Sequence, residues 1–171
     1  MTLHRPVPLD ASHLLEPFDC GEPILNDWLA GHAHQAQAGG SAKTFIVTDD
    51  DQVVGYYSLT VGQINAIEAP ARARKGMGRY PLPVVILARL AVSRECHGRG
   101  IGRGLLQDAI GRTLAIAEQA GVRAMLTHPL PGTAGFYERF GFIPSPLKEN
   151  QLLLLLKDAK KLLAGNYKQS P

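Results

Sequence analysis

Apolar and polar positions alternate along this chain in short segments of two different periods. Strand-like patterns occupy 3–8, 44–48 and 53–61, with a further apolar patch at 14–18. Behind Pro23, a residue tolerated in a first helical turn, Ile24, Leu25, Trp28 and Leu29 recur at helical spacing. The pair Gly39-Gly40 ends that helix. The strands 44–48 and 53–61 flank Asp49-Asp50-Asp51, which predicts an acidic hairpin turn. Residues 64–68 either prolong the second strand or start another. After a loop over 69–81, the run 82–93 is long for one clean strand and leaves room for a bulge. Leu105, Leu106, Ala109, Ile110, Leu114 and Ala117 mark a helix over 101–120, ended by Gly121. A strand at 122–128 follows, then a short helix carrying Phe136, Tyr137 and Phe140 and stopped by Gly141. Strands at 142–144 and 151–156 and a frayed helix at 157–163 complete the chain. This order predicts an α/β fold, a mixed sheet with helices on both faces, in one domain spanning 1–171.

The most informative segment joins the run 84–92 to the helix at 101. Gly98, Gly100, Gly102 and Gly104 remove the β-carbons that would hold a ligand away from the backbone. Strand, glycine loop and helix N-terminus together make a phosphate cradle. A dinucleotide fingerprint needs G-x-G-x-x-G, and its third glycine falls on Arg103 or Leu105. A Walker A loop needs a lysine after the last glycine, and none follows. What remains is Arg99-Gly-Ile-Gly102-Arg-Gly104, an R-x-x-G-x-G pattern directly after a strand. The bland alternative is a glycine loop that binds nothing.

Composition removes other classes. No apolar run reaches the length of a membrane span, and the longest, 152–156, is strand-sized. The N-terminus lacks the basic-then-apolar pattern of an export signal. The two cysteines, Cys20 and Cys96, lie far apart and suit free thiols in a reducing cytoplasm. His32 and His34 are polar positions on an alanine-rich helix, and no metal is expected. No G-x-S-x-G is present. The net charge is +3, but its distribution is uneven: Arg72, Arg74, Lys75 and Arg79 fall in one loop, and Arg89, Arg94, Arg99 and Arg103 follow. This is either a nucleic-acid-facing surface or a solvated loop beside arginines that serve phosphates.

The R-x-x-G-x-G loop resembles the acetyl-CoA pyrophosphate site of GNAT N-acetyltransferases. Four further segments extend the likeness over most of the chain: 18–29 (Phe-Asp-Cys-Gly-Glu-Pro-Ile-Leu-Asn-Asp-Trp-Leu), 53–59, 87–92 (Leu-Ala-Arg-Leu-Ala-Val) and 136–146 (Phe-Tyr-Glu-Arg-Phe-Gly-Phe-Ile-Pro-Ser-Pro). Together they resemble the TacT-like GNAT toxins of bacterial type II toxin–antitoxin modules. The resemblance implies a GNAT fold whose strands before the glycine loop and at 122–128 run parallel and splay apart. It also implies transfer of acetyl from acetyl-CoA to the α-amino group of aminoacyl-tRNA in the cytoplasm, blocking translation. A ribbon-helix-helix antitoxin is the implied partner, and homodimerisation accompanies the family.

Residue by residue, the resemblance places the donor on Leu90, Ala91, Val92, His97, Gly98, Arg99, Gly100, Ile101, Gly102, Arg103, Gly104 and Phe136, with a strand amide near 90–92 meeting the oxyanion. It places the catalytic phenol at Tyr137. Amine attack on a thioester expels a thiolate, which resembles that of a cysteine of pKa about 8.5, and a phenol of pKa about 10 can protonate it. Because Phe136 and Phe140 share a helix face that Tyr137 does not, Tyr137 is read as functional rather than as a core aromatic. Arg72, Arg74, Lys75, Arg79 and Arg89 are the candidate tRNA contacts. No general base stands out, and a neutral aminoacyl amine does not require one. The segment Pro129-Leu-Pro-Gly-Thr-Ala-Gly135 departs from the family pattern, with Thr133 as the expected N-cap of the Tyr137 helix. Two alternatives stay open: an acetyltransferase for a small amine or a protein N-terminus, and a non-catalytic acyl-CoA-binding module.

Overall fold

A computed structural model describes residues 3–76, 78 and 80–169. In chain order the elements are β1 (Val7–Pro8), α1 (Pro23–Gly39), β2 (Lys43–Asp49), β3 (Gln52–Ile64), α2 (Ala71–Arg74), β4 (Leu82–Val92), α3 (Ile101–Ala117), β5 (Ala124–Thr127), α4 (Ala134–Glu138), β6 (Ile143–Pro144), β7 (Leu152–Leu155) and α5 (Leu156–Gln169). Among the described residues the strands form a seven-stranded sheet in the order β1-β2-β3-β4-β5-β7-β6. Strands β4 and β5 run parallel, whereas β1–β2, β2–β3, β5–β7 and β6–β7 are antiparallel. The chain forms two compact units, Met1–Thr60 with Ala88–Ala109 and Val61–Leu87 with Ile110–Pro171.

In the first unit, α1 lays Leu25, Trp28, Leu29 and Ala33 along one helical face against Phe18, Ile46, Val53, Tyr56 and Ala91. Trp28 stacks on Tyr56, and Phe18 meets the same ring edge-on. The Tyr56 hydroxyl, carried into this core, donates to the Leu25 carbonyl at 2.8 Å. Gly40 closes the helix in the left-handed conformation. The acidic turn forms as expected: Asp50 and Asp51 both take positive φ between the paired residues Asp49 and Gln52. A two-residue hairpin needs that geometry, and aspartate tolerates it better than most residues.

The second unit buries Ile64, Ala69, Ala73, Leu82, Val84, Ala124, Leu126, Leu153 and Leu155 together. Several sequence expectations shift here. Strand β3 continues through Ile64, but 66–68 is a single 3₁₀ turn, closed by a capping box between Asn65 and Glu68, rather than another strand. The loop 69–81 contains the one-turn helix α2, whose Ala73 is buried. Strand β5 is shorter than 122–128, and the amide-less Pro129 follows it closely. The last helix begins directly at Leu156.

Candidate active site

The glycine loop is fastened at its start by backbone bonds within the first unit. Ser93 donates to the Val54 carbonyl at 2.8 Å and Arg94 to the Asp19 carbonyl at 2.9 Å. The Arg94 side chain packs over Gly21, which takes φ 91°, and pairs with Asp19 at 3.5 Å. Cys96 is buried beneath this turn. His97 donates from Nε2 to the Val92 carbonyl at 2.7 Å, folding its ring back over the end of β4.

Beyond these anchors the backbone opens. Gly98 and Gly100 adopt φ values of 81° and 79°. No atom lies within 4 Å of where their Cβ atoms would stand, so both positions are glycine for conformation and for the free space above the loop. Helix α3 begins at Ile101, and its first internal bond here runs from Gly104 N to the Gly100 carbonyl at 3.1 Å. The amides ahead of it belong to the first turn, where an α-helix has no internal acceptors for them. The side chains of Arg99 and Arg103 are exposed beside them, while Ile101 is buried as the helix anchor. Open amides and the positive end of the helix dipole share this turn with two exposed arginines, a combination that suits a pyrophosphate. Two hollows meet at Arg99, one of about 490 Å³ along Gly104 and Asp108 and one of about 540 Å³ along Asp49, Gln52 and Glu95.

Gly55 sets the height of this helix above the sheet. A Cβ there would stand 3.0 Å from Leu105 Cδ1 and 3.1 Å from Ile101 Cγ2, so the glycine admits the first turn of α3 onto β3. The Tyr57 hydroxyl reaches from the same strand to Asp108 at 2.5 Å.

The parallel ladder between β4 and β5 ends at the pair Leu87 and Thr127, whereas β4 continues to Val92. Ala88, inside this long strand, is exposed, and Leu90 and Val92 on the same side are half-buried. A strand that outruns its neighbour presents amides and carbonyls without a ladder partner on that side, and an amide-bearing ligand arm can occupy them.

In the second unit α4 carries Tyr137. Its ring is 7% exposed and meets Phe136 and Phe142 edge-on, while Phe136 tilts against Phe140. The ring packs among aromatics, and its hydroxyl is the part with chemistry to offer. Burial pushes this phenol up to about 12, and the Thr127 side chain draws it only partly back. Thr133 does not cap α4 with its side chain: its hydroxyl turns back to the Leu130 carbonyl at 2.7 Å.

The basic residues have separate settings. Arg72 pairs with Asp158 at 2.9 Å. Arg74 and Lys75 are exposed at the end of α2. Arg123 donates to the carbonyls of Ala73 (3.0 Å) and Lys75, holding that short helix from its C-terminal end. Arg79 lies outside the described residues. Arg89 stacks on Trp28 in the first unit, and burial draws its guanidinium below its ordinary value.

With this geometry in place, comparison with known proteins is decisive. Residues 40–144 match the acetyltransferase (GNAT) domain family. The chain belongs to the GNAT acetyltransferases. Within them it groups with toxins of the TacT-like kind. It is 43% identical to the tRNA-acetylating toxin of Mycobacterium tuberculosis (strain ATCC 25618 / H37Rv), over 85% of this chain and 88% of the relative. Among solved structures it resembles AtaT complexed with acetyl-methionyl-tRNAfMet, with a TM-score of 0.86, 29% identity and coverage of 95% and 99%. It also resembles a tyrosine-to-phenylalanine mutant of AtaT bound to the C-terminus of the antitoxin AtaR and acetyl-CoA. That match has a TM-score of 0.80, 28% identity and coverage of 94% and 98%.

Acetyl-CoA is the donor of this family, and the loop fits it. Two positive-φ glycines clear the space above the first amides of α3, and two arginines flank them. Among the described residues no helix is long and apolar enough to cross a membrane. Sequence reasoning passed over Gly55 and Arg123. A glycine inside a strand was the available signal for the first; the second shows itself only through contacts distant in sequence.

Proposed function

We propose that this acetyltransferase transfers the acetyl group of acetyl-CoA to the α-amino group of aminoacyl-tRNA and so arrests translation. The observation that carries this reading is the 43% identity, over most of both chains, to a tRNA-acetylating toxin, in a chain that keeps an open glycine cradle. The whole chain 1–171 is read as one catalytic domain. Aminoacyl-tRNA places its work in the cytoplasm.

When bound, acetyl-CoA supplies the acetyl group as a thioester whose sulfur leaves as a thiolate. The amides of Gly98, Gly100, Ile101, Gly102 and Arg103 hold the pyrophosphate, with Gly104 leaving room beside them, Arg99 and Arg103 neutralising its charge and His97 fixing the loop's entrance. The backbone of Leu90, Ala91 and Val92 pairs with the amide-bearing arm and meets the oxyanion, and Phe136 lines the arm's course. Tyr137 delivers its proton to the departing sulfur. Arg74, Lys75 and Arg79 meet the tRNA backbone, with Arg72 and Arg89 contributing from their anchored positions. A ribbon-helix-helix antitoxin is the expected neutralising partner, since AtaT is seen with the C-terminus of its antitoxin AtaR, and the active form is expected to be a homodimer.

The test is direct. The protein is incubated with acetyl-CoA and a pool of aminoacyl-tRNA, and the aminoacyl ends are identified by mass spectrometry. Acetylated α-amines that vanish in Tyr137→Phe support the proposal. Acetylation of free amines or protein N-termini with none on tRNA would overturn it.

A further inference from the structure

His128 stands one residue past Leu87 and Thr127, the last pair of the β4–β5 ladder. Its Nε2 lies 3.0 Å from Oε1 of Gln151, and the Gln151 amide nitrogen donates to the Ser145 hydroxyl at 2.9 Å. Ser145 returns its backbone N–H to the Gln151 carbonyl at 2.9 Å. Gln151 and Ser145 are 3% and 7% exposed, whereas His128 faces solvent. A buried amide is costly unless bonded, and the bonds of this one hold a single exposed ring. An amide oxygen only accepts, so His128 donates from Nε2 and its neutral ring keeps the lone pair on Nδ1. Side chains alternate along β5: Ala124 and Leu126 pack with Ala73 of α2, and Met125 and Thr127 turn the other way. His128 continues the first set, on the face of α2 with its Arg74 and Lys75. Gly141, just past α4, lies on the opposite face, against Leu154, the ladder partner of Met125. All of these groups belong to the second compact unit.

We propose that His128 is the base of the acetyl transfer, taking the proton of the attacking amine at Nδ1, and that Gln151 is the positioning residue that fixes its tautomer. This rests on the proposed acceptor, an amine brought to the gap where the β4–β5 pairing stops. A neutral amine attacks unaided, but the nitrogen that has attacked is cationic and must lose a proton before the intermediate collapses forward. The nitrogen lone pair forms the C–N bond, an N–H bond breaks as Nδ1 takes the proton, and the C–S electron pair leaves with the sulfur. Tyr137 protonates that sulfur. The imidazolium then gives one proton to water and the phenolate recovers one, so the products are an amide and the CoA thiol. The Nε2 proton stays on the Gln151 oxygen throughout, and that oxygen meets the imidazolium charge as it forms. Base and acid thus work from opposite faces of the sheet.

Three variants separate the roles. His128→Ala removes the base, His128→Asn keeps a donor toward Gln151 without one, and Gln151→Met keeps the volume without the acceptor. Single-turnover acetylation of aminoacyl-tRNA should slow about a hundredfold in both His128 variants, and added imidazole should recover part of the rate in His128→Ala. Gln151→Met should slow it about tenfold, the size of one hydrogen bond to a charged group. Half-saturation by acetyl-CoA should stay within about twofold in all three. Nitrogen-15 NMR of the ligand-free protein, assigned with His128→Ala, should show the Nε2–H tautomer in the wild type and a mixture in Gln151→Met. A wild-type rate in both His128 variants overturns the base. An Nδ1–H tautomer in the wild type overturns the part of Gln151. A wild type that acetylates another amine and no tRNA overturns the proposed acceptor instead, and the same variants then decide the role of His128 on that amine.

Discussion

Arg89 lies over the indole of Trp28, its guanidinium carbon 3.9 Å from the ring centroid. This ties β4 to α1 through a cation–π contact on a partly desolvated arginine, and the indole in turn stacks on the buried Tyr56. A double-mutant cycle with Arg89→Lys and Trp28→Leu, read by urea unfolding, should give a coupling of about 0.5–2 kcal/mol. Lysine keeps the charge but not the planar stack, so it should not rescue. A coupling of zero would leave the arginine free for tRNA alone.

The loop glycines should separate by conformation. Gly98→Ala and Gly100→Ala put a side chain at positive φ, with an expected stability cost of about 1–2 kcal/mol each and a marked loss of acetyl-CoA affinity by calorimetry. Gly104 sits in the helix with nothing near its missing Cβ. Gly104→Ala should raise stability by about 0.5–1 kcal/mol in the ligand-free protein. Equal melting shifts for the three variants would contradict this division.

Gly55→Ala tests the seating of α3. Its Cβ would press on Leu105 and Ile101 at 3.0–3.1 Å, and overpacking of this kind costs about 1–3 kcal/mol. Because Ile101 opens α3, the displacement reaches the donor amides, so acetyl-CoA affinity should fall together with the melting temperature. Combining the change with Leu105→Val, which withdraws the closer methyl, should recover part of both; no recovery would refute the packing account.

Arg123→Ala removes the group that holds the carbonyls of Ala73 and Lys75. Amide exchange should rise over 70–76, and KM for aminoacyl-tRNA should rise while acetyl-CoA affinity is unchanged. Loss of acetyl-CoA affinity to the same extent would show that Arg123 supports the fold at large rather than the basic segment.

The buried phenol also makes an alkaline prediction. An unfolded tyrosine ionises near 10 and Tyr137 in the folded chain at about 12, so folding favours the protonated form. Its contribution, on the order of 2 kcal/mol, is fully present below pH 10 and disappears as pH rises through 12. Tyr137→Phe should therefore flatten the fall in stability over that window, measured by denaturant unfolding. A parallel fall in both proteins would exclude the phenol as its source.

Much of this arrangement was legible in the chain because local rules governed it. The glycine loop announced itself through its spacing after an apolar run, and the Asp49-Asp50-Asp51 turn through residues that tolerate positive φ. Pro23 and Gly40 marked the ends of α1 for equally local reasons. The segment 66–76 was misjudged because its short helix is held by Arg123, some fifty residues away, and no periodicity records such a bond. Tyr137 illustrates a mixed case. Its separation from the face of Phe136 and Phe140 suggested a hydroxyl with a task, yet the ring is packed as tightly as either phenylalanine.

The β4–β5 ladder ends at Leu87 and Thr127 although β4 runs on to Val92, and strands that outrun a neighbour recruit others. A backbone stretch of that kind can pair with any extended peptide, including another copy of the same chain. The donor would then act as a stopper as much as a reagent, and concentrated preparations should stay dispersed longer with CoA present than without it.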